Sequence, residues 1–122
     1  FWGEEGYLYA GSDALKQVGW YRENSSDGIR EVGLLLPNAL GLYDMSGNAW
    51  EWCADWYSAD YYEHCKKQEV VHHPLGPEKG LYRILRGGSW YLNAEFCRAV
   101  QRDDNHPDYG NDNRGFRVAL DL

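Results

Sequence analysis

Nowhere in the 122 residues does an apolar run approach the roughly 20 that a membrane-spanning helix needs, and no charged-then-apolar leader opens the chain. Basic residues are scarce: 12 Lys and Arg stand against 19 Asp and Glu, for a net charge of −7 and a pI near 4.9. No dense Lys/Arg cluster offsets that balance, so the counterion release that drives nucleic-acid binding has no source, and nucleic acid is not an expected partner. Cysteine is sparse and odd in number, and Cys53, Cys65 and Cys97 lie at no metal-type spacing. That pattern argues against both a full disulfide framework and a zinc site. Cys53 and Cys97 read as small buried hydrophobes, with a Cys53 pair to Cys65 or Cys97 as the alternative. Solenoid-length repeats and dividing linkers are lacking too, and a chain this long holds one core. The chain opens on Phe1 without an initiator Met, which fits a fragment, a processed product or a trimmed chain.

Aromatics are plentiful, at 16% with six Trp and ten Tyr, so a compact aromatic-rich core is expected. Helical periodicity is low and turn chemistry dense, which predicts a single irregular α+β domain over residues 1–122. A short helical turn is predicted over Ser12–Gln17, capped by Ser12 or Asp13. Gly41 and Gly47 predict tight bends. Trp50–Tyr57 partly alternates large apolar and polar residues, as a half-buried strand does. Residues 58–80, with Pro74, Gly76, Pro77 and Gly80, read as a long surface connection in which Lys66, Lys67, Glu78 and Lys79 are solvated. His72 and His73 are adjacent, so on a strand they would face opposite ways; they read as surface histidines. A short strand from Arg83 runs into the Gly87-Gly88 turn before Trp90, and Gly115–Leu120 reads as a terminal strand.

Two ordered blocks carry a resemblance. Gly41-Leu42-Tyr43-Asp44-Met45-Ser46-Gly47-Asn48-Ala49-Trp50-Glu51-Trp52 resembles the signature of the sulfatase-modifying-factor, or formylglycine-generating-enzyme, family. Arg83 to Trp90, then Cys97-Arg98, Arg102 and Gly115-Phe116-Arg117-Val118, follow in that family's order and spacing. The resemblance spans nearly the whole chain but only the C-terminal part of a full family domain. It implies the C-type lectin-like fold of the formylglycine-generating-enzyme type.

Enzymes of that family use two cysteines after the Gly-Gly-Ser turn to bind copper and activate oxygen. Soft thiolates select Cu(I), and one sulfur cannot supply the pair. Cys97 matches the second cysteine, whereas the first falls on Leu92; neither copper nor cysteine oxidation is therefore expected. Asp44, Gly47, Ala49 and Glu51 match a calcium site of family members, two carboxylates and two carbonyls forming a hard-oxygen set for a structural ion. Asp44 and Glu51 capping turns or pairing with arginines is the alternative.

Within the family the chain is most similar to the variable proteins of diversity-generating retroelements. Their adenine-mutagenised segment reads Gly-Gly-Ser-Trp, an Asn-rich run, Cys-Arg, more Asn, Pro-Asp, and Gly-Phe-Arg-Val. An Asn codon scrambled at its adenines becomes any codon ending in T or C. Tyr91, Leu92, Asn93, Phe96, Asp103, Asp104, Asn105, His106, Tyr109, Asn111, Asp112 and Asn113 all belong to that reachable set. Glu95 and Gln101 do not, and need another template codon or are fixed. The resemblance thus implies a variable region over 83–118 and a ligand-binding surface made of those fourteen positions.

Rigid aromatics mixed with adaptable polar side chains are what paratopes use. An ordinary solvated loop is the plainer reading, but such a loop gains little by exposing Tyr91, Leu92, Phe96 and Tyr109. Gly87 and Gly88 read as turn formers, Trp90 as a core plug, and Arg98, Arg102 and Arg117 as partners for buried carboxylates or carbonyls. The expected function is non-enzymatic binding of a protein or cell-surface ligand, by a protein of a kind displayed on cells or viruses. The rivals are an oxidoreductase of the same superfamily with other chemistry and an accessory domain of a larger protein.

Overall fold

A computed structural model of the chain describes residues 6–25, 27–67 and 76–120. The elements are α1 (Leu15–Val18), β1 (Trp50–Trp56), α2 (Tyr61–Lys66), β2 (Arg83–Arg86), a 3₁₀ turn (Ala94–Cys97), β3 (Arg102–Asn105) and β4 (Arg114–Gly115). The strands form one sheet in the order β3-β2-β1-β4, and the rest is mostly loop. This is the α+β, C-type lectin-like architecture. No helix of the described residues is long and apolar enough to cross a membrane.

β2 is antiparallel to both neighbours, pairing Leu85 with Trp52 on one side and Asp103 on the other. β4 lies parallel to β1 through Trp50–Arg114 and Glu51–Gly115. The register slips between Trp52 and Trp56, where β1 bulges, and the Arg83 guanidinium stacks on the Trp56 ring at 3.6 Å from its centroid. Ile84 and Leu85 are buried, as the apolar centre of a strand with neighbours on both sides should be.

The core differs from the aromatic-rich one expected. Leu15, Val18, Tyr21 and Cys97 form its cluster, with Tyr9 and Ala94 against it. Among the described tryptophans Trp50 alone is buried; Trp20, Trp52, Trp56 and Trp90 are half-buried. Trp is too large to be sealed easily in a small domain. Trp90 is accordingly a flank of the core rather than its plug.

Local chemistry explains the other departures. Ser12 Oγ accepts the Ala14 N–H at 3.0 Å and Asp13 Oδ1 accepts the Leu8 N–H at 2.8 Å. Both candidate caps are engaged before the helix, which therefore starts at Leu15. α2 arises inside the stretch read as loop, where Tyr61 and Cys65 fall one turn apart on one face. β3, Arg-Asp-Asp-Asn, carries no strand signal and forms because β2 offers it a complete ladder. The terminal strand stops at Gly115: beyond the Glu51–Gly115 pair, residues 116–120 meet no partner strand among the described residues. Gly41 and Gly47 do bend the chain, at φ of +75° and +80°. His72 and His73 lie outside the described residues; Lys67, Glu78 and Lys79 are exposed.

Candidate ligand-binding surface

The surface is built on the turn after β2. Gly87 and Gly88 sit at φ of +96° and +77°, a region that Cβ-bearing residues avoid. A Cβ on Gly88 would lie 2.6 Å from Cys97 Sγ and 2.8 Å from both Cys97 Cα and the Phe96 carbonyl oxygen. The 3₁₀ turn therefore rests directly on this glycine. Main-chain bonds fasten the turn from behind: Gly47 N–H donates to Gly87 O at 2.6 Å, and Trp90 N–H to Asn48 O at 2.8 Å. Asn48 itself has φ of +63° and donates its N–H to Trp20 O.

The fourteen positions fall in three consecutive segments of this frame. In the first, Tyr91 and Phe96 are exposed, at 47% and 40%, and Asn93 and Glu95 are exposed between them. Leu92 is half-buried, and its carbonyl accepts the Arg22 N–H at 3.0 Å. The second is β3 with its approach: Asp103 is exposed, while Gln101, Asp104 and Asn105 are half-buried. Burial, with the Asp103 charge adding to it, raises the Asp104 carboxyl above the usual range. In the third, His106 is half-buried and stacks, tilted, on exposed Tyr109 with ring centroids 5.5 Å apart. Asn111 and Asp112 are exposed, and Asn105 and Asn111 each turn their carboxamide oxygen onto the next residue's N–H.

Asn113 stands apart. It is buried, at 3%, its carbonyl accepts the Trp50 N–H at 2.8 Å, and its Oδ1 has no hydrogen-bond partner among the described residues. A side chain so placed fixes the start of β1 and presents nothing outward, contrary to its assignment to the surface. Cys97 and Ala99 are likewise buried beneath the exposed positions. Exposed and buried residues thus interleave along one stretch of chain.

The frame also adds residues that no motif marks. Ala99 N–H donates to Leu8 O at 2.7 Å, which brings exposed Tyr7 and Leu8 beside exposed Val100. Only the fold joins positions so far apart in sequence.

The oxygen set read as a calcium site is half engaged. Asp44 is buried at φ of +54°; its Oδ2 accepts the Gly33 N–H at 2.8 Å, and its Oδ1 has no partner among the described residues. Glu51 is gripped by Arg117, whose Nη2 and Nε lie 2.7 and 3.0 Å from its two carboxylate oxygens. Arg117 Nη2 also donates to Tyr43 O at 2.8 Å. Arg117 is therefore the carboxylate and carbonyl partner expected of it. Arg86 likewise donates to Ala99 O at 2.6 Å and Arg98 to Glu95 O at 2.8 Å.

A copper pair does not fit this turn. Leu92 carries no ligating atom, and Cys97 lies sealed under Gly88 with its thiol pushed up to about 11, chiefly by burial. Among the described residues Cys53, Cys65 and Cys97 are all unbridged, and Cys53 is half-buried rather than buried.

The relatives agree with this frame. The sulfatase-modifying factor enzyme 1-like domain matches residues 2–122. The formylglycine-generating enzyme of Streptomyces coelicolor is 42% identical over 98% of this chain and 42% of its own length. Pkn1 of Chlamydia trachomatis serovar L2, a serine/threonine-protein kinase, is 48% identical over 68% of this chain but 13% of its own length. Variable protein 1 of Treponema denticola superposes with a TM-score of 0.76 and 32% identity, over 93% of this chain and 41% of that one. The chain thus spans less than half of each relative. With nearly every residue inside the family's domain and the frame shared with a solved variable protein, the chain belongs to the sulfatase-modifying-factor, or formylglycine-generating-enzyme-like, family.

Proposed function

We propose that the protein is a ligand-binding member of this family that carries a diversified contact surface on a fixed scaffold, as the variable proteins of diversity-generating retroelements do. One observation carries the reading: Tyr91, Phe96 and Tyr109 stand exposed while Cys97 and Ala99, between them, and Asn113, just beyond, are buried. Three large aromatics held outward by a buried frame suit recognition of a protein or cell-surface ligand, where rigid amphipathic rings give contact area at low entropic cost. The contact set is Tyr91 to Asp112 from the positions above, with Asn113 left to the frame and Tyr7, Leu8 and Val100 at its margin.

The neighbouring DNA tests this reading. A reverse-transcriptase gene beside a near-copy of the codons for residues 83–118, differing at adenines, is the expected finding. A locus without either would sink it. The rival oxidoreductase is disfavoured by Leu92 and by the sealed Cys97. Oxidation of a thiol substrate by the purified protein with copper or iron would reinstate it. Calcium at Asp44 and Glu51, with the Gly47 and Ala49 carbonyls, forms part of the proposal as a structural ion. The unpartnered Asp44 Oδ1 supports it, and binding requires Glu51 to exchange Arg117 for the ion.

A further inference from the structure

β3 is the outermost strand of the sheet: β2 pairs with one of its edges, and among the described residues no strand lies on the other. Beyond the β2 ladder, no main-chain hydrogen bond engages Asp103, Asp104 or Asn105 among the described residues. A strand paired antiparallel on one side turns the N–H and C=O groups of alternate residues outward. Such an edge is a template for a further strand unless its side chains prevent it.

The side chains along this edge are unbalanced in charge. In the ladder Asp103 stands opposite Leu85 and Asp104 opposite Ile84, while Arg83 and Arg86 stand opposite Asn105 and Arg102. Arg83 and Arg86 turn to other partners: Arg83 stacks on the Trp56 ring and donates to Ala54 O, and Arg86 donates to Ala99 O. Among the described residues Asp103 and Asp104 therefore have no ion-pair partner. Burial, with the Asp103 charge adding to it, raises the Asp104 carboxyl, so a cation brought to this edge relieves both groups. Just past β3 the exposed Tyr109 ring is held against His106, and a ring so placed takes the stem and charge of a lysine or arginine.

An edge of this composition discriminates between occupants. A second copy of the chain, added edge to edge, would set Asp103 and Asp104 against the same carboxylates, and like charges directly opposite oppose pairing. A strand with basic residues at those places gains from both carboxylates. Consecutive strand residues face opposite sides of a sheet, so Asp103 and Asp104 are met by two basic residues in succession. We propose, on the reading of these positions as a contact surface, that β3 takes up its ligand by strand addition, the added segment being an extended stretch of a protein with two consecutive Lys or Arg residues beside Asp103 and Asp104. Ladder bonds hold the segment, the carboxylates select it, and Tyr109 covers a flanking side chain.

The test titrates isotope-labelled protein with short peptides of Val and Thr around a central Lys-Arg or, as the control, a central Glu-Glu. The Lys-Arg peptide should shift the amide signals of residues 102–106 and bind about 10-fold or more tightly than the Glu-Glu peptide, with the difference shrinking as salt is raised. Asp103→Asn combined with Asp104→Asn should remove most of that difference. Methylating the amide nitrogens of alternate residues in the Lys-Arg peptide, in both alternations, separates ladder bonds from charge. The alternation whose N–H groups face β3 should weaken binding about 10-fold, and the other should leave it unchanged. Equal affinity of the Lys-Arg and Glu-Glu peptides, no binding at millimolar concentration, shifts confined to other residues, or equal binding by the two methylated forms overturns the proposal. A silent peptide leaves the diversified surface standing, since that is tested by the neighbouring DNA, and a locus without a reverse transcriptase leaves peptide binding at β3 standing.

Discussion

Gly88→Ala is the sharpest perturbation of the frame. The residue sits at φ of +77°, where a Cβ costs about 1–2 kcal/mol in backbone strain alone. The added methyl would also press on Cys97 Sγ at 2.6 Å, and on Cys97 Cα and the Phe96 carbonyl oxygen at 2.8 Å. Two of those three atoms are backbone and cannot swing aside, so overpacking adds about 1–3 kcal/mol. The sum of about 2–5 kcal/mol is a large share of an ordinary domain's stability and corresponds to a fall of about 8–20 °C in melting temperature. Gly33→Ala is the matched control: its φ is +78° and nothing lies within 4 Å of the added Cβ, so it should lose the strain energy only. Thermal melts followed by near-ultraviolet circular dichroism measure both. If Gly88→Ala melts with Gly33→Ala, the 3₁₀ turn does not rest on Gly88 and the frame assigned to the contact surface is wrong. Cys97→Ala in the Gly88→Ala background should restore part of the loss, because it removes the sulfur and leaves the two backbone contacts.

Tyr91→Asn, Phe96→Asn and Tyr109→Asn should each change stability by less than about 0.5 kcal/mol and add nearly independently, as exposed positions do; urea melts showing a loss above about 1.5 kcal/mol for any one would place that ring in the fold rather than on the surface. Stability should fall as pH rises from 9 toward 11, since the unfolded Cys97 thiol, at about 9, releases its proton while the folded one, raised to about 11, keeps it. Two pH units correspond to at most about 2.7 kcal/mol. Below pH 9 both states are protonated and the contribution is intact, and Cys97→Ala should flatten that part of the profile in chemical-denaturation experiments. Calcium at about 10 mM should stabilise the protein by about 1.4 kcal/mol if its dissociation constant is near 10⁻³ M. Differential scanning calorimetry should show no such shift for Glu51→Gln, and an unmoved wild-type transition refutes the ion site.

How much could be read from the sequence depended on what holds each segment. Trp50–Trp56 and Arg83–Arg86 were legible because their own alternation and apolar centres encode a strand. The Gly87-Gly88 turn was legible because only glycine relieves its φ. β3 was not, since Arg102, Asp103, Asp104 and Asn105 have no preference for a strand and borrow one from β2. The end of the chain erred the other way: Phe116, Val118 and Leu120 have the composition of a strand and lack a neighbour to complete it among the described residues. Of the four large side chains expected to stand exposed, Tyr91, Phe96 and Tyr109 do and Leu92 is half-buried, while Asn113 is of the same type as its exposed neighbours and is buried nonetheless. The joining of Leu8 to Ala99 is a long-range main-chain bond, which no local pattern announces.

If the surface is diversified as proposed, that last class of bond lets it change without the fold changing. Leu92 is anchored through its carbonyl to Arg22 N–H, Trp90 through its N–H to Asn48 O, and Ala99 through its N–H to Leu8 O. β3 is held by its ladder to β2, and Asn113 by its carbonyl to Trp50 N–H. Carbonyls are present whatever the side chain, and amides are lost only to proline. The side chains that do matter, Gly88, Cys97, Ala99 and Arg117, fall outside the fourteen proposed contact positions. Stability is thereby uncoupled from the identity of the outward residues. Half-buried Asp104 and Asn105 are the weak points of that separation, because a side chain placed there meets the frame as well as the solvent.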